Sequence, residues 1–352
     1  MSAKKCIIDC DPGHDDFAAL ILFANSPSLD PQFVSTSHGN QTVDKTYNNA
    51  RHTLNLINRA DIPVYRGFPN PLVRKGRAAA QIHGESGLGG VDWDVVDNDL
   101  PRNPALDILG YKSEDELSPT DFFKHLHRLL RDVKEGDRFD VIATAAMTNI
   151  AQYIMAYPED AKKLRIQSMG GNFKVVGNVT PFAEFNVLVD PEAYNVVLNS
   201  DAEVIFAAPL DITHTILVDD NVMDRIQKAT EHNSQVFYDI VSKILMFFKD
   251  SYKSVYGFPS PPLHDPVAVF YLLRPDLFEK EPCHVNVESK GEYTYGCCCH
   301  DLNDRKQNSS TLENPNTFVC LKLKEGGHEA FWDAMIHAFE VASKEAGKRK
   351  LN

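Results

Sequence analysis

Five short apolar runs, each ending in small or polar residues, constrain the chain most: "KCIIDCD", "QFVSTSHGN", "FDVIATAAMTN", "RIQSMGGN" and "EVIFAAPLD". Runs of this kind read as buried β-strands. Segments with helical spacing lie between them. "DFAALILFAN" is apolar on every side and belongs inside, whereas "DKTYNNARHTLNLINRA" and "TDFFKHLHRLLRDVKEG" carry polar faces. "PEAYNVVLNS" begins with Pro and Glu, good first-turn residues. Strand and helix in alternation predict an α/β fold: a doubly wound, mostly parallel sheet with helices on both faces.

Past residue 212 the pattern turns helical, in "VDDNVMDRIQKAT", "SQVFYDIVSKILMFFKDSYKSVYG" and "DPVAVFYLLRP". Residues 283–323 then form a small C-terminal β-rich extension, interrupted by the polar, mobile-looking stretch "HDLNDRKQNSSTLENPN". A last helix, "GHEAFWDAMIHAFEVASKEAG", follows. No internal repeat or long linker divides the chain, so a single domain over residues 1–352 is expected.

A net charge of −13 argues against nucleic acid and anionic membranes as partners, since both require basic patches. A neutral small-molecule substrate fits better. The N-terminus shows no secretory signal, and no segment reaches the length of a membrane span. Seven cysteines without paired spacing suit reduced thiols, and a cytoplasmic location is expected. "CCCH" at 297–300 is a poor zinc site, because adjacent cysteines diverge and no second ligand pair follows.

The chemistry concentrates where the strands end. Asp9, Asp11, Asp15 and Asp16 fall within eight residues of the first run, and so many carboxylates repel unless something offsets their charge. Asn40 follows the second run, Thr148 and Asn149 the third, Asn178, Glu184 and Asn186 the fourth, while His264 and Asp265 precede "PVAVFYLL". Open parallel sheets bind ligands at such strand ends. Taken singly, Asp15, Asp16 or Asp265 could cap a helix. Caps do not explain the set. An all-oxygen cluster points to Ca²⁺ or Mg²⁺, although the segment is neither an EF-hand loop nor a good aspartyl-phosphatase motif.

In this order, "DCDPGHDD", "GNQT", "HGESGLGG", "MTNIA", "MGGN", "GNVTPFAEFNVLVDPEA" and "PLHDPVAV" resemble the inosine–uridine nucleoside hydrolase family. The match runs from about Lys4 to the last helix and looks most like the eukaryotic, fungal branch that prefers uridine. The resemblance implies cleavage of the N-glycosidic bond of ribonucleosides to ribose and free base. It further implies Ca²⁺ held by Asp11, Asp16, Asp265 and the backbone carbonyl of Thr148, with Asp9 behind them. Asp15 resembles the general base. Asn40, Asn178, Glu184 and Asn186 resemble the residues that hold the ribose, and Met169 opens the "MGGN" match on the substrate side. His264 matches the histidine beside the leaving base, and His83 a base-pocket histidine of pyrimidine-preferring members. A homo-oligomer, dimer or tetramer, is expected.

Tyr252 and Tyr256 lie one helical turn apart upstream of His264. Family members with different base preference place a tyrosine at one or the other position, and this chain has both. His83 and overall similarity favour uridine; cytidine, inosine and nicotinamide riboside stay open. Direct attack of water with inversion is expected, since no second carboxylate is marked as a nucleophile. A catalytically silent nucleoside or sugar binder is the alternative from another class, disfavoured because every expected ligand and the base are present. A metal-dependent phosphatase is weaker still.

Overall fold

The structure is a computed structural model that describes residues 3–93, 100–302 and 315–349. The centre of the polar stretch at 300–316 lies outside the described residues. The first half of the chain runs β1 (Lys4–Cys10), α1 (His14–Asn25), β2 (Leu29–Thr36), α2 (Val43–Leu56), β3 (Val64–Arg66), α3 (Ala80–His83), α4 (Pro104–Leu109), α5 (Asp121–Arg131), β4 (Phe139–Ala143), α6 (Thr148–Ala156) and β5 (Leu164–Met169). It continues through α7 (Phe185–Val189), α8 (Pro191–Leu198), β6 (Glu203–Ala208), α9 (Leu210–Thr213), α10 (Asp220–Thr230), α11 (Gln235–Tyr256) and α12 (Asp265–Leu273). It closes with β7 (Phe278–Cys283), β8 (Val285–Val287), β9 (Cys298–His300), β10 (Thr317–Leu323) and α13 (Gly327–Ala346).

Eight strands form one sheet in the order β3-β2-β1-β4-β5-β6-β10-β7, parallel except for β7 at one edge. The expected β-rich extension therefore divides. β8 and β9 pair as a separate antiparallel ribbon, while β10 and β7 continue the main sheet. β7 reads "FEKEPC", and its charges and proline suit an edge that must not pair further. Three consecutive charges, Glu279, Lys280 and Glu281, mask such a strand in the sequence, and three-residue β3 is too short to show a period.

Alternation along the strands builds two cores. Cys6, Ile8 and Cys10 of β1 face one cluster, Ile7 the other; Ile142 and Val141 of β4 divide in the same way. The first cluster gathers α1, α12 and α13, the second α5, α6 and α8. Helix α1 is buried from His14 to Ala24 because α2, α12 and α13 pack around it. Fully burying Phe17 or Phe23 there contributes about 1.5–3 kcal/mol each. The strand order reverses between β1 and β4, where neighbouring helices leave to opposite faces and a crevice opens at the carboxyl ends. No described helix is long and apolar enough to cross a membrane.

Candidate active site

Asp9, the last residue but one of β1, lies beside Ser35 of β2 and Ala143 of β4 in the sheet register. That position lets the Ser35 hydroxyl donate to Asp9 Oδ1 at 2.6 Å and the Asn149 amide at 2.7 Å. Asp9 is thus tied to the sheet beneath the crevice. Asp11, two residues on, accepts the Asn40 backbone N–H at Oδ2 (2.7 Å), and the Asn40 side-chain amide donates to the Asp11 carbonyl at 3.1 Å. A Cβ on Gly39 would strike the Asp11 carboxylate, so glycine is required for this approach.

Asp16 partly bears out the capping alternative. Its Oδ2 accepts the Gly13 amide at 3.1 Å at the start of α1, yet the same oxygen takes the Asn40 amide at 3.2 Å, and Oδ1 takes the Thr144 hydroxyl at 2.8 Å. Asp265 is no cap. It is the first residue of α12, with His264 at the cap position and no side-chain capping bond. Instead, carboxylate oxygens of Asp15, Asp16 and Asp265 lie within 4.8 Å of one another, all buried.

The electrostatics of this cluster are unresolved within the chain. Among the described residues no lysine or arginine forms an ion pair with Asp9, Asp11, Asp15, Asp16 or Asp265. Burial, then the charge of Asp16, pushes Asp11 well above the usual carboxylate range, and burial followed by Asp15 does the same to Asp265. Asp15 is pushed to about 7 by burial and then by Asp16. Buried oxygens Oδ2 of Asp9, Oδ1 of Asp11 and Oδ1 of Asp15 have no hydrogen-bond partner among the described residues. Converging hard oxygens, orphaned and unneutralised, fit a divalent metal ion.

Above the acids opens a cavity of about 320 Å³. The strand ends, the loops after them and the helix starts they lead into supply Asp15, Asn40, Thr144, Met169, Asn178, Glu184, Asn186 and Asp265; α3 and the end of α11 supply Ile82, His83, Tyr252, Val255 and Tyr256. Glu184 is locked by backbone N–H donors from Gly171, Asn186 and Val187, which also start α7. Asn186 donates to the Thr144 carbonyl at 2.7 Å and packs on Met169. Asn178 accepts the Phe185 N–H at 2.9 Å. His264 is gripped at both ring nitrogens, by Thr213 at 2.7 Å and by the Tyr252 hydroxyl at 2.8 Å. Burial drives His264 well below its ordinary pKa and Tyr252 well above its own, so the imidazole is neutral and the phenol keeps its proton.

One expected residue sits elsewhere. Thr148 is fully buried at the start of α6, its hydroxyl donating to Asp190 at 2.7 Å and lying 3.2 Å from His38. The threonine that meets the acids is Thr144, four residues earlier at the end of β4. The sequence reading also missed Thr213, which holds His264 from α9. Two threonines close the same run "VIATAAMT", and only the path of the turn decides which faces the crevice.

The chain matches the family model described as inosine-uridine preferring nucleoside hydrolase over residues 6–333. It is 34% identical over 338 residues to a probable ribonucleoside hydrolase of Dictyostelium discoideum, covering 95% of this chain and 93% of the relative. It is 37% identical over 313 residues to the pyrimidine-specific ribonucleoside hydrolase RihA of Shewanella baltica, covering 88% and 91%. Its fold is similar to that of a purine-preferring ribonucleoside hydrolase from Gardnerella vaginalis, with a TM-score of 0.80 at 23% identity over 97% and 99% of the two chains. A plant nucleoside hydrolase superposes with a TM-score of 0.79 at 25% identity, covering 96% and 99%. The chain belongs to the inosine–uridine preferring nucleoside hydrolase family and is a ribonucleoside hydrolase, an enzyme of N-glycosidic bonds.

Proposed function

We propose that the enzyme prefers uridine and works with Ca²⁺, attacking C1′ with water and inverting its configuration. The observation that carries this reading is the orphaned acid cluster under a nucleoside-sized cavity. Asp11, Asp16 and Asp265 would hold the ion, with the backbone carbonyl of Thr144, rather than of Thr148, as the neutral donor. When bound, the ion supplies positive charge that offsets the acids, grips vicinal ribose hydroxyls and acidifies a water.

The chain's own residues account for the remaining steps. Asp15, in the cavity wall, takes the proton from the attacking water. Asn40, Asn178, Glu184 and Asn186 orient the ribose, and Glu184 faces the positive charge that builds on the sugar as the bond opens. Tyr252 and His264, joined at 2.8 Å, stand where a base would leave and can pass it a proton or hydrogen bond. Tyr256 lies beside Tyr252, its ring tilted by 50° with centroids 5.1 Å apart, and continues the cavity wall.

Uridine preference is supported by His83 in the wall and by similarity to the pyrimidine-specific relative. The structural neighbours include a purine-preferring enzyme, so the test compares kcat/KM for uridine, cytidine, inosine and nicotinamide riboside. Uridine should lead. Inosine in first place would reverse the assignment.

A further inference from the structure

The part of the cavity wall that carries Ile82 and His83 hangs from a strap, residues 67–79, that links β3 to α3. Both ends of the strap are fixed to the crevice. The Gly67 N–H donates to the Thr36 carbonyl at 2.8 Å and the Phe68 N–H to Asn149 Oδ1 at 2.9 Å; at the far end the Ala79 N–H donates to the Asn40 carbonyl at 3.1 Å. Midway, the Leu72 N–H donates at 2.9 Å to Asp190 Oδ2, the oxygen that also takes the Thr148 hydroxyl. Residues 73–78 then run exposed, and Arg77 and Ala78 among them line the cavity. Among the described residues, the hydrogen bonds and ion pair of that exposed run are all made by Arg74.

Arg74 meets three groups at once. Its guanidinium lies over the Tyr295 ring, 4.0 Å from the centroid, while Nη2 donates to the Ser289 carbonyl at 2.6 Å and Nε faces Glu192 Oε1 at 3.5 Å. The Tyr295 hydroxyl donates in turn to the other Glu192 oxygen at 3.2 Å. A planar guanidinium can stack and donate together, which an ammonium cannot. Glu192 lies in the first turn of α8, whereas Ser289 and Tyr295 belong to the turn between β8 and β9, the ribbon that joins no strand of the main sheet. That turn is held in place before Arg74 reaches it. The Glu288 carboxylate accepts the N–H groups of Lys290 and Gly291 at 2.7 and 3.0 Å, and Asn195 of α8 exchanges hydrogen bonds of 2.7 and 2.9 Å with Val287. Gly296, at a φ of 82°, approaches Leu188 of α7 so closely that a Cβ would strike it. Beside Arg74 a cavity of about 530 Å³ opens between strap and ribbon, so a single side chain spans a gap that packing does not close.

We propose that Arg74 is a positioning residue and the β8–β9 ribbon the clasp it closes, the two together holding the strap over the cavity so that a nucleoside meets a wall already ordered. The reacting groups lie off the strap: Asp15 belongs to α1, Tyr252 to α11 and His264 to the start of α12. A loosened strap therefore weakens the bound substrate and the transition state alike, which raises KM and leaves kcat in place. This inference rests on the reading of the cavity as a nucleoside site. It gives the ribbon, which adds nothing to the main sheet, a part in substrate binding.

The test uses the full chain with Arg74→Ala, Tyr295→Ala, the two combined, and Tyr295→Phe, which keeps a ring under the guanidinium. KM for uridine should rise about tenfold in each alanine variant, since a stacked and charge-assisted contact is lost. Over the same variants kcat should stay within about twofold. The combined variant should be no worse than either single one, because both break the same clasp. Tyr295→Phe should bring KM back to within about twofold of wild type. A KM that does not move in the single variants, whatever their Tm does, would mean that Arg74 and Tyr295 serve stability alone and would overturn the proposal. Penalties that multiply in the combined variant would overturn it too. Limited trypsin digestion reads the strap without any nucleoside: cuts after Lys75 and Arg77, identified by mass, should appear about tenfold faster in Tyr295→Ala than in Tyr295→Phe. Equal cutting would deny the clasp. If the wild type cleaves no nucleoside, the reading of the cavity fails, and the digestion alone decides whether the ribbon holds the strap.

Discussion

Buried carboxylates lie at both ends of the pair that β1 and β4 form, Asp140 at one and Asp9 with its neighbours at the other, and the two ends treat them differently. At the amino end, Asp140 of β4 is met by Arg165 of β5 with two hydrogen bonds, at 2.7 and 2.9 Å, and by Gln167 at 2.8 Å. The chain neutralises that acid with its own cation. At the carboxyl end, the cluster of Asp9, Asp11, Asp15, Asp16 and Asp265 receives amides and hydroxyls but, among the described residues, no cationic side chain, and three of its oxygens have no partner there. An acid paired inside the fold is part of the fold's stability. Acids that the fold leaves unpaired mark where an external positive charge belongs.

The largest expected effect breaks the unpaired end. Asp11→Ala should abolish tight Ca²⁺ binding and lower kcat/KM for uridine by about 10³-fold or more; calcium binding with full turnover would refute the ligand assignment. Asp15→Asn sharpens the distinction between ligand and base. It should lower kcat by about 10²–10⁴-fold while the ion is retained, as read by steady-state kinetics beside metal analysis.

A smaller and more selective loss is expected at the leaving-group side. Tyr252→Phe and His264→Ala should slow uridine more than a nitrophenyl riboside, whose leaving group needs no proton. Equal losses on both substrates would show that the pair serves only packing.

Stability separates the two ends by pH. With the ion stripped by chelator, Asp9 and Asp15 have folded-state pKa values of about 7, above those of an unfolded chain. Raised carboxylate pKa values favour the fold while protonated, and that contribution is lost as pH rises from about 4 through about 7. The chelated protein's Tm should therefore fall across that window. The Ca²⁺-loaded protein should do the reverse, since the ion requires ionised ligands and dissociates as they protonate. The smallest effect is at the paired end: Arg165→Met should cost roughly 1–3 kcal/mol in denaturant unfolding and leave calcium affinity unchanged.

The contrast also shows what a sequence discloses. Ile7 and Ile8 divide between the two cores as a buried strand requires, and α1, apolar on every side, is enclosed by helices. Asp11, Asp15 and Asp16 fall within six residues of the chain, so their crowding is legible without coordinates. The adjacent cysteines diverge as expected, Cys298 buried and Cys299 exposed. Contacts made through turns are not legible. Whether Thr144 or Thr148 faces the acids depends on how the chain leaves β4, and Thr213 reaches His264 from a helix 51 residues away in sequence.

Calorimetric titration of the chelator-stripped full chain with Ca²⁺, with uridine turnover followed in the same samples, tests the central claim most directly. One ion bound per chain, with activity rising in step, is the predicted result. Full turnover in excess chelator, with no heat on adding calcium, would contradict it.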